Sequence, residues 1–294
     1  PAPLWGGALQ VVIDEDIEAG LCPEGLFKPT LAAALESEGL SWGSVIFVAG
    51  GDHPICDLTI PEGVRVQSLS GPLETDLSPS DGTCEQLLTL LPGAQLTGFR
   101  MGCIGEAFGS ECQNALTSLV IGDAEEADRA WVTHNIIDGG QLGIAIEHAA
   151  DLDFNTLVNQ GTAIEVFPSA EAVGEPAARI TNSILWKAGT GLKGAEGGPW
   201  VEAENNVYGK MPSGSATENI EDASADTMLS GGLSADTDYL PSADLEPVQD
   251  KGLSDIGTRD IGAVQREELC TWEAAAAPSW SCEGLDSSYN GCWW

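Results

Sequence analysis

Histidine is the side chain best suited to proton transfer near neutral pH, and this sequence contains three, His53, His134 and His148. Each stands apart from the others, no nucleophile pattern lies beside them, and no GxSxG turn occurs. General acid–base and nucleophilic catalysis both need such groups in a defined constellation. The sequence therefore assigns no catalytic residue, and we expect His134 to be a turn or coil-surface residue.

Carboxylates are far more numerous and form small clusters that could hold a cation. The candidate ligands are Asp14, Asp16, Asp123, Asp128, Asp151 and Asp153. Calcium coordinates several carboxylate and carbonyl oxygens from loops of this kind, but no EF-hand or nonapeptide repeat is present. Two interpretations stay open, a solvated acidic surface and a Ca2+ site. No other motif requires a cofactor.

The cysteines predict disulfides, because none forms a CxxC pair and no paired Cys/His spacing indicates zinc. Two groups hold all eight: Cys22, Cys56, Cys84, Cys103 and Cys112, then Cys270, Cys282 and Cys292. Both groups are odd in number. If all eight pair, at least one bond joins the two groups, within one chain or between chains. A free thiol is the alternative.

The C-terminal segment, residues 270–294, combines those last three cysteines with four of the nine tryptophans, Trp272, Trp280, Trp293 and Trp294. Tryptophan buries about 150–250 Å² of surface when packed, so these side chains need a partner. The segment either folds back along its own chain or docks on a neighbouring subunit and mediates self-association.

Charge and hydropathy exclude several classes of function. Eleven Lys and Arg face 46 Asp and Glu, giving a net charge of −35, so binding to nucleic acid or anionic membranes is not expected. No apolar run is long enough to span a bilayer. The chain starts at Pro1 without a basic and apolar leader, as a secreted protein does after processing. We expect a secreted, extracellular or cell-surface protein.

Short strands separated by turn residues dominate the chain. Residues 8–14 predict a strand, and residues 30–38 predict a helix with Thr30 as its N-cap. From Ser44 onward the helical period disappears, and β-branched runs follow with Gly, Pro, Asn and Asp between them. This pattern is typical of an all-β protein.

A repeat of 20 to 28 residues distinguishes a solenoid from the other all-β architectures. Asparagines precede apolar residues and turns at Asn135, Asn155, Asn182 and Asn206, with spacings of 20, 27 and 24. A second set of apolar positions follows in step, Ile144, Ile164 and Leu192, with spacings of 20 and 28. Such a period is one turn of a parallel β-helix, in which asparagine side chains can bond from one turn to the next.

These residues resemble the bacterial right-handed parallel β-helix repeat proteins. LAAALESEGLSWGSVIFVAGG and LTIPEGVRVQSLSG resemble the family's capping helix and first coils, and ITNSILW and ENNVYG resemble later coils. RDIGAVQRE, with Asp260 to Ala263, resembles its closing segment, so the resemblance covers residues 28–268. It implies the fold, whereas members include lyases, hydrolases and adhesins. Trp131-Val132-Thr133-His134 resembles a pectate-lyase run, but Thr133 replaces the acid.

The predicted organisation is a strand and capping helix in residues 1–43, a parallel β-helix in 44–269 with a loop-rich segment at 212–238, and the tail at 270–294. The preferred hypothesis is an extracellular structural protein that self-associates into filaments or a surface layer through its solenoid ends and tail. Two alternatives are a carbohydrate-active β-helix enzyme and a non-catalytic adhesin. The adhesin would bind extracellular polysaccharide through exposed aromatic residues such as Trp131 or Trp186.

Overall fold

The computed structural model describes residues 10–13, 27–103, 112, 115–122, 128–170, 175–194, 201–208 and 220–223. Within these ranges the chain forms a right-handed parallel β-helix, as the sequence predicts. No helix in the same ranges is long and apolar enough to cross a bilayer.

Each turn of the solenoid, called a coil below, places one strand on each of three faces. Face 1 consists of β1 (Gln10–Ile13), β3 (Val45–Val48), β6 (Arg65–Ser68), β9 (Gln95–Thr97), β12 (Ala130–Thr133), β15 (Ala150–Asp153), β18 (Ala178–Thr181) and the first half of β21 (Val201–Tyr208). Face 2 consists of β4 (Gly51–Ile55), β7 (Thr75–Pro79), β10 (Arg100–Gly102), β13 (Ile136–Asp138), β16 (Thr156–Val158), β19 (Ile184–Trp186) and the second half of β21. Face 3 consists of β5 (Leu58–Ile60), β8 (Gln86–Leu90), β11 (Thr117–Ile121), β14 (Leu142–Ile146), β17 (Thr162–Val166) and β20 (Thr190–Gly194).

From β3 to β21, neighbouring coils pair in parallel and in constant register, so each strand residue lies above its equivalent in the next coil. Ile144 pairs with Ile164, and Ile164 pairs with Leu192, as the predicted apolar spacing requires. Backbone groups are thereby satisfied by the coils above and below, about 4.8 Å away.

The core fills the inside of this stack with columns of apolar side chains, each at most 1% exposed. The inward column of face 1 is Ile46, Val66, Leu96, Val132, Leu152 and Ile180. The inward column of face 2 contains Leu77, Met101, Ile137, Leu157 and Leu185. Burial of these side chains is the main favourable term for the fold.

The N-terminal end of the solenoid is covered by a short helix. The predicted strand is β1, which pairs with β2 (Phe27–Lys28) and β3, and the predicted helix is α1 (Leu31–Leu35). The Thr30 hydroxyl accepts a hydrogen bond from the Ala33 amide at 3.1 Å, which confirms the predicted cap. Leu31 and Ala34 are buried against the first coil, so α1 closes the apolar interior.

A buried polar ladder follows the corner between faces 1 and 2. The Asn135 side chain accepts from the Phe99 amide at 3.0 Å, and the Asn155 side chain accepts from the Asn135 amide at 3.1 Å. In the next coil Ser183 takes the position, accepting from the Asn155 amide at 3.1 Å. Asn206 then accepts from the Ser183 amide at 2.8 Å.

The predicted ladder is therefore right at Asn135, Asn155 and Asn206 and wrong by one residue at Asn182. Asn182 has φ +51° and occupies the left-handed position of the turn, in register with His134 and Phe154. Both asparagine and serine can bond neighbouring backbone groups, and asparagine also tolerates left-handed backbone. In this coil Asn182 takes the left-handed turn position, and Ser183 takes the position in the ladder.

From β12 onward, the irregular period arises at one corner. Three residues (147–149) connect face 3 to face 1 between β14 and β15, but eleven (167–177) do so between β17 and β18. Strand lengths stay constant, so the columns keep their register. Within the predicted loop-rich segment 212–238, residues Ile220–Ala223 form a strand, β22, which pairs in parallel with β21. The strand ladder therefore continues past the last complete coil, and the rest of the segment 212–238 lies outside the described residues, so the loop-rich segment stays a prediction.

Candidate functional site

The outer surface of face 1 presents two parallel columns of side chains that run along the solenoid axis. The first outer column is Arg65, Gln95, Trp131, Asp151, Arg179 and Glu202. The second outer column is Gln67, Thr97, Thr133, Asp153, Thr181 and Glu204. Side chains alternate between the two sides of a strand, so both columns point away from the core.

Trp131 stands in the middle of the first outer column with half of its surface, 50%, open to solvent. Gln95 precedes it by one coil and Asp151 follows it by one coil, each at about 4.8 Å. The indole is thus an apolar platform between two hydrogen-bonding side chains. An indole presented in this way offers a ligand an apolar face beside hydrogen-bonding groups.

A network of arginines fixes the acidic side of Trp131. The Arg129 Nε donates to Asp151 Oδ1 at 2.7 Å, and other Arg129 nitrogens donate to the carbonyl oxygens of Pro176 and Ala150. Arg179 lies 3.8 Å from the same Asp151 oxygen. These hydrogen bonds join three coils and hold Asp151 in one position. The Arg129 side chain is only 11% exposed.

Hydrogen bonds also order the remaining polar side chains of this surface. The Thr97 and Thr133 hydroxyls are 3.0 Å apart, and the Thr181 hydroxyl donates to Asp153 Oδ1 at 2.8 Å. Asn182 donates to the same oxygen at 2.8 Å. The surface is therefore preorganised rather than a set of mobile side chains.

At the N-terminal side of the surface, Arg65 Nε donates to Gln95 Oε1 at 2.8 Å. Burial lowers the pKa of the Arg65 guanidinium from its ordinary value, because the charged form loses hydration. The hydrogen bond directs the Gln95 amide beside Trp131.

The three histidines are buried, at 4–8% exposure, so none is presented to solvent as an acid or base. The His53 ring contacts the Ala49 carbonyl oxygen at 2.9 Å, and His148 contacts the Asp128 carbonyl oxygen at 3.2 Å. His134 has φ +55° and stacks on Phe154 with ring centroids 5.1 Å apart. The prediction that His134 is a turn residue agrees with this geometry, but the ring is covered rather than on the surface.

The candidate metal ligands fall into two sets. Asp14, Asp16 and Asp123 lie outside the described residues. Asp151 and Asp153 are engaged by arginine and by hydroxyl and amide donors, as given above, while Asp128 contributes backbone contacts. Within the part of the chain that the structure describes, no group of three or more Asp, Glu, His or Cys side chains could hold a metal ion. The Ca2+ site stays a prediction.

Two disulfides join four of the predicted cysteines, Cys56 to Cys84 and Cys103 to Cys112, with Cα atoms 5.7 and 5.9 Å apart. The first bond joins two coils at the corner between faces 2 and 3, because Cys56 directly follows β4 and Cys84 precedes β8 by two residues. Cys22, Cys270, Cys282 and Cys292 lie outside the described residues, as do Trp272, Trp280, Trp293 and Trp294 of the tail.

Trp186 does not share the exposure of Trp131. It ends β19 and is largely covered, and its indole nitrogen is buried with no hydrogen-bond partner among the residues that the structure describes. Of the two aromatic residues proposed for an adhesin, Trp131 is exposed and Trp186 is only partly exposed.

Sequence reasoning missed a second exposed tryptophan, Trp42, which is 55% exposed. Its ring lies flat on two glycines of the next coils. A Cβ atom on Gly63 would be 2.8 Å from Trp42 Cε2, and one on Gly93 would be 2.9 Å from Cζ3. Both glycines have positive φ, +65° and +69°. The detectable signal was the glycine in the PEG and LPG turns, one coil apart.

No protein-family model and no curated protein sequence matches this chain. Among solved structures, a pectin methylesterase mutant in complex with a hexasaccharide is 10% identical, with a TM-score of 0.32, and covers 72% of this chain and 92% of its own. A second hexasaccharide complex has 11% identity and the same TM-score and coverage. The pectin methylesterase PemA from Erwinia chrysanthemi has 10% identity and a TM-score of 0.30. The β-helix assignment rests on the strand order and register given above.

Proposed function

We propose that this protein is a non-catalytic polysaccharide-binding β-helix protein, and that the outer surface of face 1 around Trp131 is its binding surface. The observation that carries the proposal is a half-exposed indole fixed between ordered hydrogen-bonding side chains. Two disulfides in the described residues fit a protein that works outside the cell.

A sugar ring is complementary to this arrangement. Its C–H face is apolar and packs on an indole, while its hydroxyls exchange hydrogen bonds with side chains such as Gln95 and Asp151. Covering the exposed half of Trp131 removes about 100 Å² of apolar surface from water, which is worth about 2.5 kcal/mol. Aromatic anchors of this kind dominate the affinity of an interface.

The charge of the surface selects a neutral glycan. Asp151, Asp153, Glu202 and Glu204 outnumber the two outward arginines of the same columns, and the whole chain has a net charge of −35. A polyuronate is repelled by such a field, whereas a neutral glucan, xylan or mannan is not.

The engaged state of the carboxylates favours binding without catalysis. Hydrolysis of a glycosidic bond uses one carboxylic acid and one carboxylate that are accessible to substrate. Asp151 is held by Arg129, and Asp153 accepts from Thr181 and Asn182. Carboxylate oxygens engaged by these donors are not free to contact a glycosidic oxygen.

Affinity electrophoresis in gels containing cellulose derivatives, xylan, mannan or polygalacturonate tests the proposal. The wild-type chain should be retarded by at least one neutral polymer and not by polygalacturonate. Trp131→Ala should bind the neutral polymer at least about tenfold more weakly. Lys193→Ala, an exposed change on face 3, is the matched control and should bind normally. Release of reducing or unsaturated sugars by the wild type would refute the non-catalytic assignment.

The hypothesis of self-association through the tail stays a prediction, because its residues lie outside the described ranges. The two disulfides given above sharpen it. If all eight cysteines pair within one chain, Cys22 bonds to one of Cys270, Cys282 and Cys292, whereas between chains it can also bond to Cys22 of a second copy. Peptide mapping with non-reducing gels would show whether that bond lies within one chain or between chains, and monomers with every bond internal would count against disulfide-linked filaments.

A further inference from the structure

The two large apolar side chains exposed in the described residues, Trp42 and Trp131, lie on the same side of the solenoid, although 89 positions separate them in the sequence. Trp42 precedes Gly43 at the corner where face 3 passes into face 1. The amide of Gly43 donates to the Gly63 carbonyl oxygen at 3.0 Å, and the Gly93 amide donates to the Asp128 carbonyl oxygen at 3.2 Å. These turns therefore stack in one column along the corner.

The Trp42 ring extends along that column. The bond shared by its two rings lies over Gly63, and its outer edge lies over Gly93, so the indole spans the second and third coils. One ring face is seated on glycine backbone while 55% of the residue stays exposed. Any larger residue at Gly63 or Gly93 would occupy the space of the ring, so the two glycines form a seat for it.

The register places this seat next to Trp131. Gln95 pairs with Trp131, so Gly93 lies one coil below and two residues before Trp131. With about 4.8 Å between coils and about 3.3 Å per residue along a strand, the Cα atoms of Gly93 and Trp131 are about 8 Å apart. The outer edge of the Trp42 ring lies over Gly93, so it is the part of Trp42 that is nearest to Trp131.

We propose that Trp42 and Trp131 form one extended aromatic platform, on which a neutral polysaccharide chain lies diagonally across the third coil. This inference rests on the proposed function and adds the selection of an extended chain over a short sugar. Trp131 binds a single ring with its flanking Gln95 and Asp151, whereas Trp42 is reached by the next part of the same chain. Glycans too short to cover both rings use Trp131 alone.

Isothermal titration of disaccharides and hexasaccharides from cellulose, xylan and mannan tests this platform. We expect Trp42→Ala to weaken hexasaccharide binding about tenfold and to leave disaccharide binding unchanged. Trp131→Ala should weaken both. If Trp42→Ala changes neither ligand, or changes both equally, the platform is refuted while the proposed function stands. If the wild type binds no glycan, both fail.

A second variant tests the platform without removing either tryptophan. Gly93→Ala should displace the Trp42 ring and remove the preference for the hexasaccharide, with increased quenching of tryptophan fluorescence by iodide. Gly39→Ala controls for the strain of a left-handed backbone, since Gly39 has φ +94° and its Cβ would meet nothing within 4 Å. Equal effects of the two substitutions on binding would refute the seat.

Discussion

The buried ladder at the corner of faces 1 and 2 gives a quantitative test of the fold, and Asn155 is its best-defined member. Its side-chain oxygen accepts from the Asn135 amide at 3.1 Å. Its side-chain nitrogen donates to the Val132 and Asp153 carbonyl oxygens at 2.8 and 3.1 Å. Asn155→Ala removes these three bonds and a fourth, which the Asn135 side-chain nitrogen donates to the same oxygen at 3.3 Å, and leaves buried backbone groups without partners. Each buried orphan costs about 1–3 kcal/mol, so we expect the free energy of unfolding to fall by about 4 kcal/mol.

Asn155→Ser separates the hydrogen bonds from the packing of the side chain. Serine already occupies the equivalent position in the next coil, where Ser183 accepts from the Asn155 amide and donates to the Thr181 carbonyl oxygen. The serine variant should retain two of the four bonds and lose only about 2 kcal/mol.

Urea denaturation followed by circular dichroism measures both variants, with the exposed Asn159→Gly as control. Asn159 has φ +64°, which glycine adopts freely, so its change should stay within about 0.5 kcal/mol of wild type. A loss below about 1 kcal/mol for Asn155→Ala, or equal losses for alanine and serine, would show that the ladder does not stabilise the coils as argued.

Three further predictions follow from single contacts. Leu157→Ala opens a cavity in the face 2 column and should lower the free energy of unfolding by about 2–5 kcal/mol, measured by urea denaturation. Arg129→Ala leaves Asp151 and two carbonyl oxygens without their donor and should cost about 3 kcal/mol, whereas an equal stability of variant and wild type would refute the network. Hydrogen bonds from Thr83 lower the pKa of Asp81 from 3.8. Their contribution to stability is therefore complete above pH 3.8 and is lost as the pH falls through the lowered pKa. Carbon-detected NMR titration should find the pKa of this carboxyl below 3.8, and a higher value would contradict the assignment.

Much of the fold was predictable because the apolar residues of the strands repeat. The columns through Ile144, Ile164 and Leu192 followed directly from their spacing. Strand β4 was not predicted, because it contains Asp52 and Pro54 at outward positions and so lacks the usual strand composition. Its pairing with β7 in the next coil, which no local pattern reveals, determines its structure.

The candidate site was predictable only in part. Trp131 could be named as an exposed aromatic residue, but nothing in its own sequence environment identified Trp42 as its neighbour. That proximity depends on Gly63 and Gly93, which lie one and two coils away and act through the absence of a side chain. Contacts along the axis of a solenoid join residues separated by whole coils, so they become visible only when the register is known.

From β12 onward, the corner between faces 3 and 1 absorbs the differences in coil length, from three residues at 147–149 to eleven at 167–177, while the paired columns keep their register. New segments can therefore enter the chain at this edge during evolution, or by design, while the rest of the stack keeps its alignment. The same edge borders Trp42 and Trp131. Ligand recognition can thus diversify in a lineage by lengthening one connection at a time, while the apolar core changes little.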